Sequence, residues 1–169
     1  MVVYDNMGGA IAARLWWLMK YFGHAGAAML DGGLPAWVAA GYELESGKAR
    51  IDQSPVSSYA EHRELVLSAD AVAEGLQSAS IILADARAPE RFNGEVEPLD
   101  RLPGHIPGAV NYPFNKNLGS SGLFKPAGDI RSAMHDLLGN NDAGQLVNMC
   151  GSGVTACHNI FAAELAGIE

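Results

Sequence analysis

The chain has 169 residues, 49% hydrophobic and 18% charged, which favours one globular domain, or one and part of another, over a disordered segment. Nineteen acidic against eleven basic residues give a net charge of −8 without a basic stripe, which argues against a nucleic-acid partner. Arg14 and Lys20 interrupt the most hydrophobic stretch, so no membrane span is predicted.

The start of the chain alternates between strand-like and helical stretches. Residues 2–4 predict a buried strand, 10–21 a helix, 27–30 a second strand and 34–40 a short helix. Polar residues without periodicity then predict a linker over residues 43–63. Because an apolar strand follows Met1 at once, we expect the chain to begin inside a fold rather than with a signal peptide.

The alternation resumes after the linker. Ser68 is placed to cap a helix over residues 69–76, and a buried strand over 81–83 ends at Asp85. A long loop over residues 86–115 is predicted next. The remaining predicted elements are a helix over 129–138, a strand over 146–149 and a helix over 155–166. Strands alternating with helices predict an α/β fold with a parallel sheet.

A weak internal repeat suggests two tandem halves. Residues 2–5, followed by Gly8 and a helix, parallel residues 147–150, followed by Gly153 and a helix, so that Asp5 occupies the place of Cys150. The second half would lack a counterpart of residues 27–37. We therefore expect a chain truncated at both ends, whose exposed sheet edge favours self-association.

The segment from Cys150 to Thr155 lies where an apolar strand meets a helix, the position at which parallel sheets bind ligands. Gly151 and Gly153 allow successive backbone N–H groups to point inward, and the helix dipole adds positive potential. Such a cradle binds anions and lowers a cysteine pKa, which predicts a nucleophile. The alternative is that Cys150 is a small buried apolar residue, the commonest fate of a free cysteine.

Cys150 and Cys157 form neither a disulfide framework nor a metal-binding spacing, which favours a reducing compartment such as the cytoplasm. Cys157 falls in the following helix. We expect it to be buried there rather than to resolve a sulfur species on Cys150.

Eight consecutive residues from Cys150 to Cys157 resemble the active loop of the tandem rhodanese and 3-mercaptopyruvate sulfurtransferase family. Further resemblance is carried, in the family's order, by Asp31-Gly32-Gly33 with Trp37, Asp85-Ala86-Arg87, Arg91-Phe92, and Gly104 to Ala109 with Asn111. The resemblance implies a rhodanese-like three-layer α/β fold with a parallel sheet. It further implies an inactive domain in residues 1–42, a linker at 43–63 and a catalytic domain at 64–169 that lacks its last segment.

The resemblance also implies a reaction and its residues. Cys150 would carry sulfur as a persulfide, cradled by the backbone of Gly151, Gly153, Val154 and Thr155, with no metal or organic cofactor. The partners would be a small anionic sulfur donor and a thiol or cyanide acceptor. Neutral Gly151 and Ser152 resemble the loops of enzymes that prefer 3-mercaptopyruvate to thiosulfate.

Arg91 resembles the arginine that binds the donor's carboxylate in this family, and Arg101 a second one. An arginine fork binds a carboxylate bidentately and so orients it. For Arg87, next to Asp85, a structural ion pair is the preferred interpretation. Ser152 resembles the serine of a Ser, His, Asp relay, yet none of the five histidines matches the relay position.

The sequence also bears on two other functions. A cysteine-dependent phosphatase needs an arginine six residues after the nucleophile, where this chain has Ala156. A non-catalytic rhodanese-like binding module, or an inactive fragment, remains as the alternative.

Overall fold

The computed structural model describes residues 1–24, 26–48, 59–139, 141–142 and 145–168. Its strands are β1 (Val2–Val3), β2 (Ala28–Met29), β3 (Ile82–Asp85), β4 (Val110–Asn111) and β5 (Leu146–Met149). Its helices are α1 (Ala12–Tyr21), α2 (Gly33–Ala39), α3 (Ala69–Gln77), α4 (Pro89–Phe92), α5 (Ala127–Leu138) and α6 (Thr155–Leu165), and 3-10 helices span Arg63–Leu65 and Phe114–Asn117. Residues 49–58 of the predicted linker lie outside the described residues.

The strands form two parallel sheets, which confirms the predicted α/β class. Strands β1 and β2 pair with each other, and the second sheet has the order β4-β3-β5. Asp85 is level with Met149 on one side and Asn111 on the other. The residues that follow β3 and β5 therefore emerge at one edge of the second sheet, where parallel sheets bind ligands.

The predicted loop over residues 86–115 was wrong in part, because it contains α4 and β4. Pro89 occupies the first turn of α4, a position where the missing N–H costs nothing. Helix α4 has four residues and β4 two, so neither is long enough to produce a readable hydrophobic period. The predicted cap of α3 is confirmed, since Ser68 Oγ accepts from the Ala71 N–H at 3.2 Å.

Helix α6 lies between two hydrophobic clusters. On one side Ala162 and Ala166 pack with Ile130 and Met134 of α5. On the other, Cys157 packs with buried residues of the first part of the chain, namely Val3, Ala12, Ala13, Trp16 and Trp17. The Trp16 ring meets Phe161 of α6 edge to face at 4.9 Å, and Lys20 pairs with Glu164. Helix α1 thus supports the helix that begins at the cysteine loop.

No helix within the described ranges is long and apolar enough to cross a membrane.

Candidate active site

Cys150 directly follows β5 and opens a turn that leads into α6 at Thr155. Gly153 in this turn has φ of 70°, a left-handed conformation that glycine adopts without strain. Cys150 is partly exposed, whereas Ala156 and Cys157, at the start of α6, are buried. The thiol is therefore accessible while its support is fixed in the core.

The surroundings of Cys150 lower the pKa of its thiol. Burial raises this pKa, but hydrogen bonds from the Thr155 hydroxyl and from the backbone N–H groups of Ala156, Ser152 and Thr155 outweigh the effect. Donors aimed at the sulfur stabilise the thiolate, which is the nucleophilic form. These donors lie in the segment for which the sequence predicts an anion cradle.

Asp5 occupies a corresponding cradle after β1. Oδ1 accepts from the N–H groups of Met7 and Gly9 at 2.8 and 2.9 Å, and Oδ2 accepts from those of Ile11 and Ala12 at 2.8 Å each. Burial raises the pKa of Asp5, but these four bonds lower it overall. Here the carboxylate fills its own anion site.

The two turns match in backbone geometry as well as position. Gly8, three residues after Asp5, has φ of 66°, close to the 70° of Gly153, three residues after Cys150. Gly33 packs so tightly against the Asp5 carbonyl that a Cβ atom there would collide with it. These observations support the internal repeat inferred from sequence.

A pocket of about 610 Å³ opens beside Cys150 at the sheet edge. Its charged lining residues are Arg87, Asp100 and Arg101, and Met149 and Gly151 form part of its wall. Arg101 is exposed, so its side chain can reach a bound anion without displacing a buried contact. Arg101 and Cys150 thus line the same pocket, and the donor-binding role of Arg101 stays a prediction.

Arg91 also lies against the cysteine loop, but it is already bound to two carboxylates. Its Nη2 atom is 3.4 Å from the position that a Cβ on Gly151 would take. The same Nη2 donates to Glu97 Oε1 at 2.7 Å and to Asp100 Oδ2 at 3.2 Å. The family resemblance indicated Arg91 as a residue that binds the donor's carboxylate, and no sequence pattern indicated its two acidic partners.

Arg87 makes the structural ion pair expected from sequence. It donates to both oxygens of the fully buried Asp85, with Nη2 at 2.7 Å from Oδ2, and to the Gly104 carbonyl at 2.8 Å. These bonds tie the loop after β3 to the segment around Gly104. His105 in that segment stacks on Phe92 and bonds the Phe92 carbonyl at 2.7 Å, so it also fixes the loop.

Ser152 is exposed on the cysteine loop. Among the described residues, the histidine hydrogen bonds go to Glu64, the Phe92 and Gly8 carbonyls, and Asn117, and none goes to Ser152. A Ser, His relay is therefore not assembled within the described ranges. Cys157 is buried as predicted, and its thiol donates to the Gly153 carbonyl at 3.1 Å.

Arg14 is a neighbour of the loop that sequence reasoning missed. Its Nη1 donates to the Gly153 carbonyl at 3.4 Å and approaches Cys157 Sγ at 3.8 Å, while the guanidinium lies over Trp17. Arg14 and Gly153 are 139 residues apart, so no local pattern could have indicated the contact.

A family model described as the rhodanese-like domain matches residues 68–169 of the chain. A probable 3-mercaptopyruvate sulfurtransferase of Pseudomonas aeruginosa is 44% identical over 168 residues, which cover 99% of this chain and 59% of that protein. The human 3-mercaptopyruvate sulfurtransferase is 38% identical, with 99% and 57% covered. A putative thiosulfate sulfurtransferase of Mycobacterium tuberculosis is 39% identical, with 99% and 58% covered.

Among solved structures, SseA from Escherichia coli superposes on this chain with a TM-score of 0.83 at 29% identity. That structure is described as showing the rhodanese fold and the catalytic mechanism of 3-mercaptopyruvate sulfotransferases. That match covers 99% of this chain and 62% of that one. The chain spans less than two thirds of the length of these relatives.

Proposed function

Since this chain belongs to the rhodanese-like domain family, we propose that it is a sulfurtransferase that carries sulfur as a persulfide on Cys150. The observation that carries the proposal is the cradle around Cys150, whose donors lower the pKa of a partly exposed thiol. A stabilised thiolate in a pocket is what a sulfur carrier requires, because it must attack sulfur and then leave from it.

In the first half-reaction the Cys150 thiolate attacks the transferable sulfur of the donor. With thiosulfate, an S–S bond forms and the donor's S–S bond breaks, so that sulfite leaves with the electron pair. With 3-mercaptopyruvate, the C–S bond breaks and pyruvate leaves as its enolate, which then takes up a proton. The loop N–H groups stabilise the persulfide anion that remains on Cys150.

In the second half-reaction an acceptor attacks the outer sulfur and restores the Cys150 thiolate. A thiol acceptor leaves as a persulfide, and cyanide leaves as thiocyanate. Because the transferred atom is bound covalently to the protein between the two steps, no metal or organic cofactor takes part. The kinetics are then of the double-displacement type.

The proposed donor is a small anion, with 3-mercaptopyruvate preferred to thiosulfate. Relatives carry both names, and the loop presents neutral Gly151 and Ser152 where a sulfonate would benefit from positive charge. Arg101 lines the pocket, and Arg91 lies against Gly151 with its charge offset by Glu97 and Asp100; both are proposed to bind the donor's carboxylate. Ser152, exposed beside Cys150, is proposed to assist turnover.

The domain organisation and location belong to the same proposal. Residues 1–42 are the C-terminal part of an inactive rhodanese domain, 43–63 a linker, and 64–169 the catalytic domain. The Asp5 cradle supports this division, because a carboxylate there takes the place of a reactive sulfur. A cytoplasmic location suits a free thiolate, and the net charge of −8 does not suit nucleic acid.

The deciding experiment measures the intact mass of the chain after incubation with each donor. Persulfide formation adds the mass of one sulfur, which cyanide then removes. Cys150→Ser should abolish the adduct, and Cys157→Ser, the matched control at the other cysteine, should retain most of it. An adduct absent from the parent chain with both donors would favour the non-catalytic binding module.

A further inference from the structure

Two carboxylates contact Arg91 at the cysteine pocket, and they differ in how firmly they are held. Glu97 is almost fully buried, with 4% of its side chain exposed, whereas 47% of the Asp100 side chain is exposed. Glu97 accepts from two nitrogens on one edge of the guanidinium, with Oε1 at 2.7 Å from Nη2 and Oε2 at 3.3 Å from Nε. Asp100 makes one longer contact, at 3.2 Å.

Glu97 is the more firmly held of the two carboxylates, and it also pairs with Arg87 at 3.4 Å. The hydrogen bond from Arg91 lowers the pKa of Glu97 to about 2, assisted by the backbone N–H groups of Asp100 and Leu99. Both N–H groups reach Glu97 Oε1 at 3.0 Å. A carboxylate held by so many donors does not exchange readily with a ligand.

Asp100 stands at the pocket instead. Its Oδ2 is 3.5 Å from the position of a Cβ on Gly151, and Asp100 lines the pocket together with Cys150. Within the described residues, Arg91 Nη1 makes no hydrogen bond and lies 3.7 Å from the same Cβ position. An anion that enters beside Cys150 therefore approaches an Arg91 guanidinium that is already paired with the Asp100 carboxylate.

We propose that Asp100 is a specificity-determining residue, an internal carboxylate that competes with the donor for Arg91 and disfavours donors in proportion to their negative charge. This inference rests on the proposed sulfur transfer from an anionic donor. The Asp100 charge repels the thiosulfate dianion about twice as strongly as a monoanion such as 3-mercaptopyruvate, so Asp100 favours 3-mercaptopyruvate.

The size of the effect follows from charge and exposure. Removing one half-exposed charge strengthens the binding of a monoanion about threefold, the value of a solvent-screened pair. Because the interaction is proportional to the ligand charge, the gain for a dianion is about the square of that, roughly tenfold. Salt reduces both gains, since the charges face solvent.

The first test does not depend on sulfur transfer. Iodoacetate and iodoacetamide both alkylate Cys150, as the thiolate forms a C–S bond and iodide leaves, and they differ by one negative charge. The ratio of the iodoacetate rate to the iodoacetamide rate is independent of the fraction of Cys150 that is thiolate. Tandem mass spectrometry confirms that the adduct is on Cys150. Asp100→Asn should raise this ratio about threefold at low salt and less at high salt.

Glu95→Gln is the matched control, because it removes the same charge from the same loop while Glu95 contacts Asn93 rather than Arg91. Its ratio should equal that of the parent chain. Equal ratios in Asp100→Asn and Glu95→Gln would overturn the proposal.

The second test uses the donors themselves. Asp100→Asn should lower KM about threefold for 3-mercaptopyruvate and about tenfold for thiosulfate. A KM unchanged for both donors would refute the role of Asp100. If the parent chain forms no persulfide at all, the proposed function fails, while the alkylation ratio still decides the role of Asp100.

Discussion

Thr155→Val should raise the pKa of Cys150, because valine keeps the shape of threonine and removes the hydroxyl that donates to the sulfur. The Thr155 side chain is the largest of the contributions that lower this pKa, after burial, which raises it. A hydrogen bond to a charged group contributes about 1.5–3 kcal/mol, and solvent reduces this at a partly exposed thiol. At the lower end the change corresponds to roughly a tenfold decrease in the ratio of thiolate to thiol at a given pH.

The assay is the rate of alkylation of Cys150 by iodoacetamide as a function of pH. The midpoint should move upward in Thr155→Val, and the rate at high pH should change little. The sign follows from the fact that the parent pKa is lowered, so loss of a donor returns it toward the ordinary thiol value. Thr155→Ser keeps the hydroxyl and is the matched control.

An unmoved midpoint in Thr155→Val would refute the assignment of the hydroxyl as a thiolate donor. A midpoint that moves equally in Thr155→Ser would attribute the shift to packing instead. Either result would leave the backbone N–H groups of Ser152, Thr155 and Ala156 as the whole cradle.

Three other substitutions test the support of the site, each by urea unfolding. Asp5→Asn should lower the free energy of unfolding by about 1 kcal/mol near neutral pH, after allowance for solvent. Because the pKa of Asp5 is lowered on folding, this loss is present above the unfolded pKa and vanishes as the pH falls through the folded pKa. A loss that does not change with pH would contradict this expectation. Trp16→Ala should lower the free energy of unfolding by about 3–5 kcal/mol and leave a single unfolding transition. A second transition would show that the two hydrophobic clusters on either side of α6 unfold independently. Arg87→Met should lower the free energy of unfolding by about 3–5 kcal/mol, because it leaves the buried Asp85 carboxylate without its partner. An unchanged free energy would show that water reaches the Asp85 carboxylate.

Local features of the chain were predictable from sequence. Helices α3 and α6 are long enough for their apolar residues to indicate a helix, β5 is a short, mostly apolar run next to Cys150, and Ser68 is a side chain that caps helices. The Cys150 cradle was predictable for the same reason, because its donors lie within six residues of the thiol.

Features that depend on tertiary contacts were not predictable. Strand β4 has two residues and exists because β3 pairs with it. The contact from Arg14 to Gly153 depends on how α1 packs against α6. Asp100 and Glu97 lie within nine residues of Arg91, yet only the folded loop turns both carboxylates onto one guanidinium.

The packing of α1 on α6 connects the turn at Asp5 to the turn at Cys150. Asp5 accepts from the N–H group of Ala12 at the start of α1, and Arg14 of the same helix donates to the Gly153 carbonyl in the cysteine loop. The conformation of the cysteine loop therefore depends on residues that are 139 positions away in the sequence. A substitution on the inner face of α1 can change the reactivity of Cys150 without touching any residue of its loop.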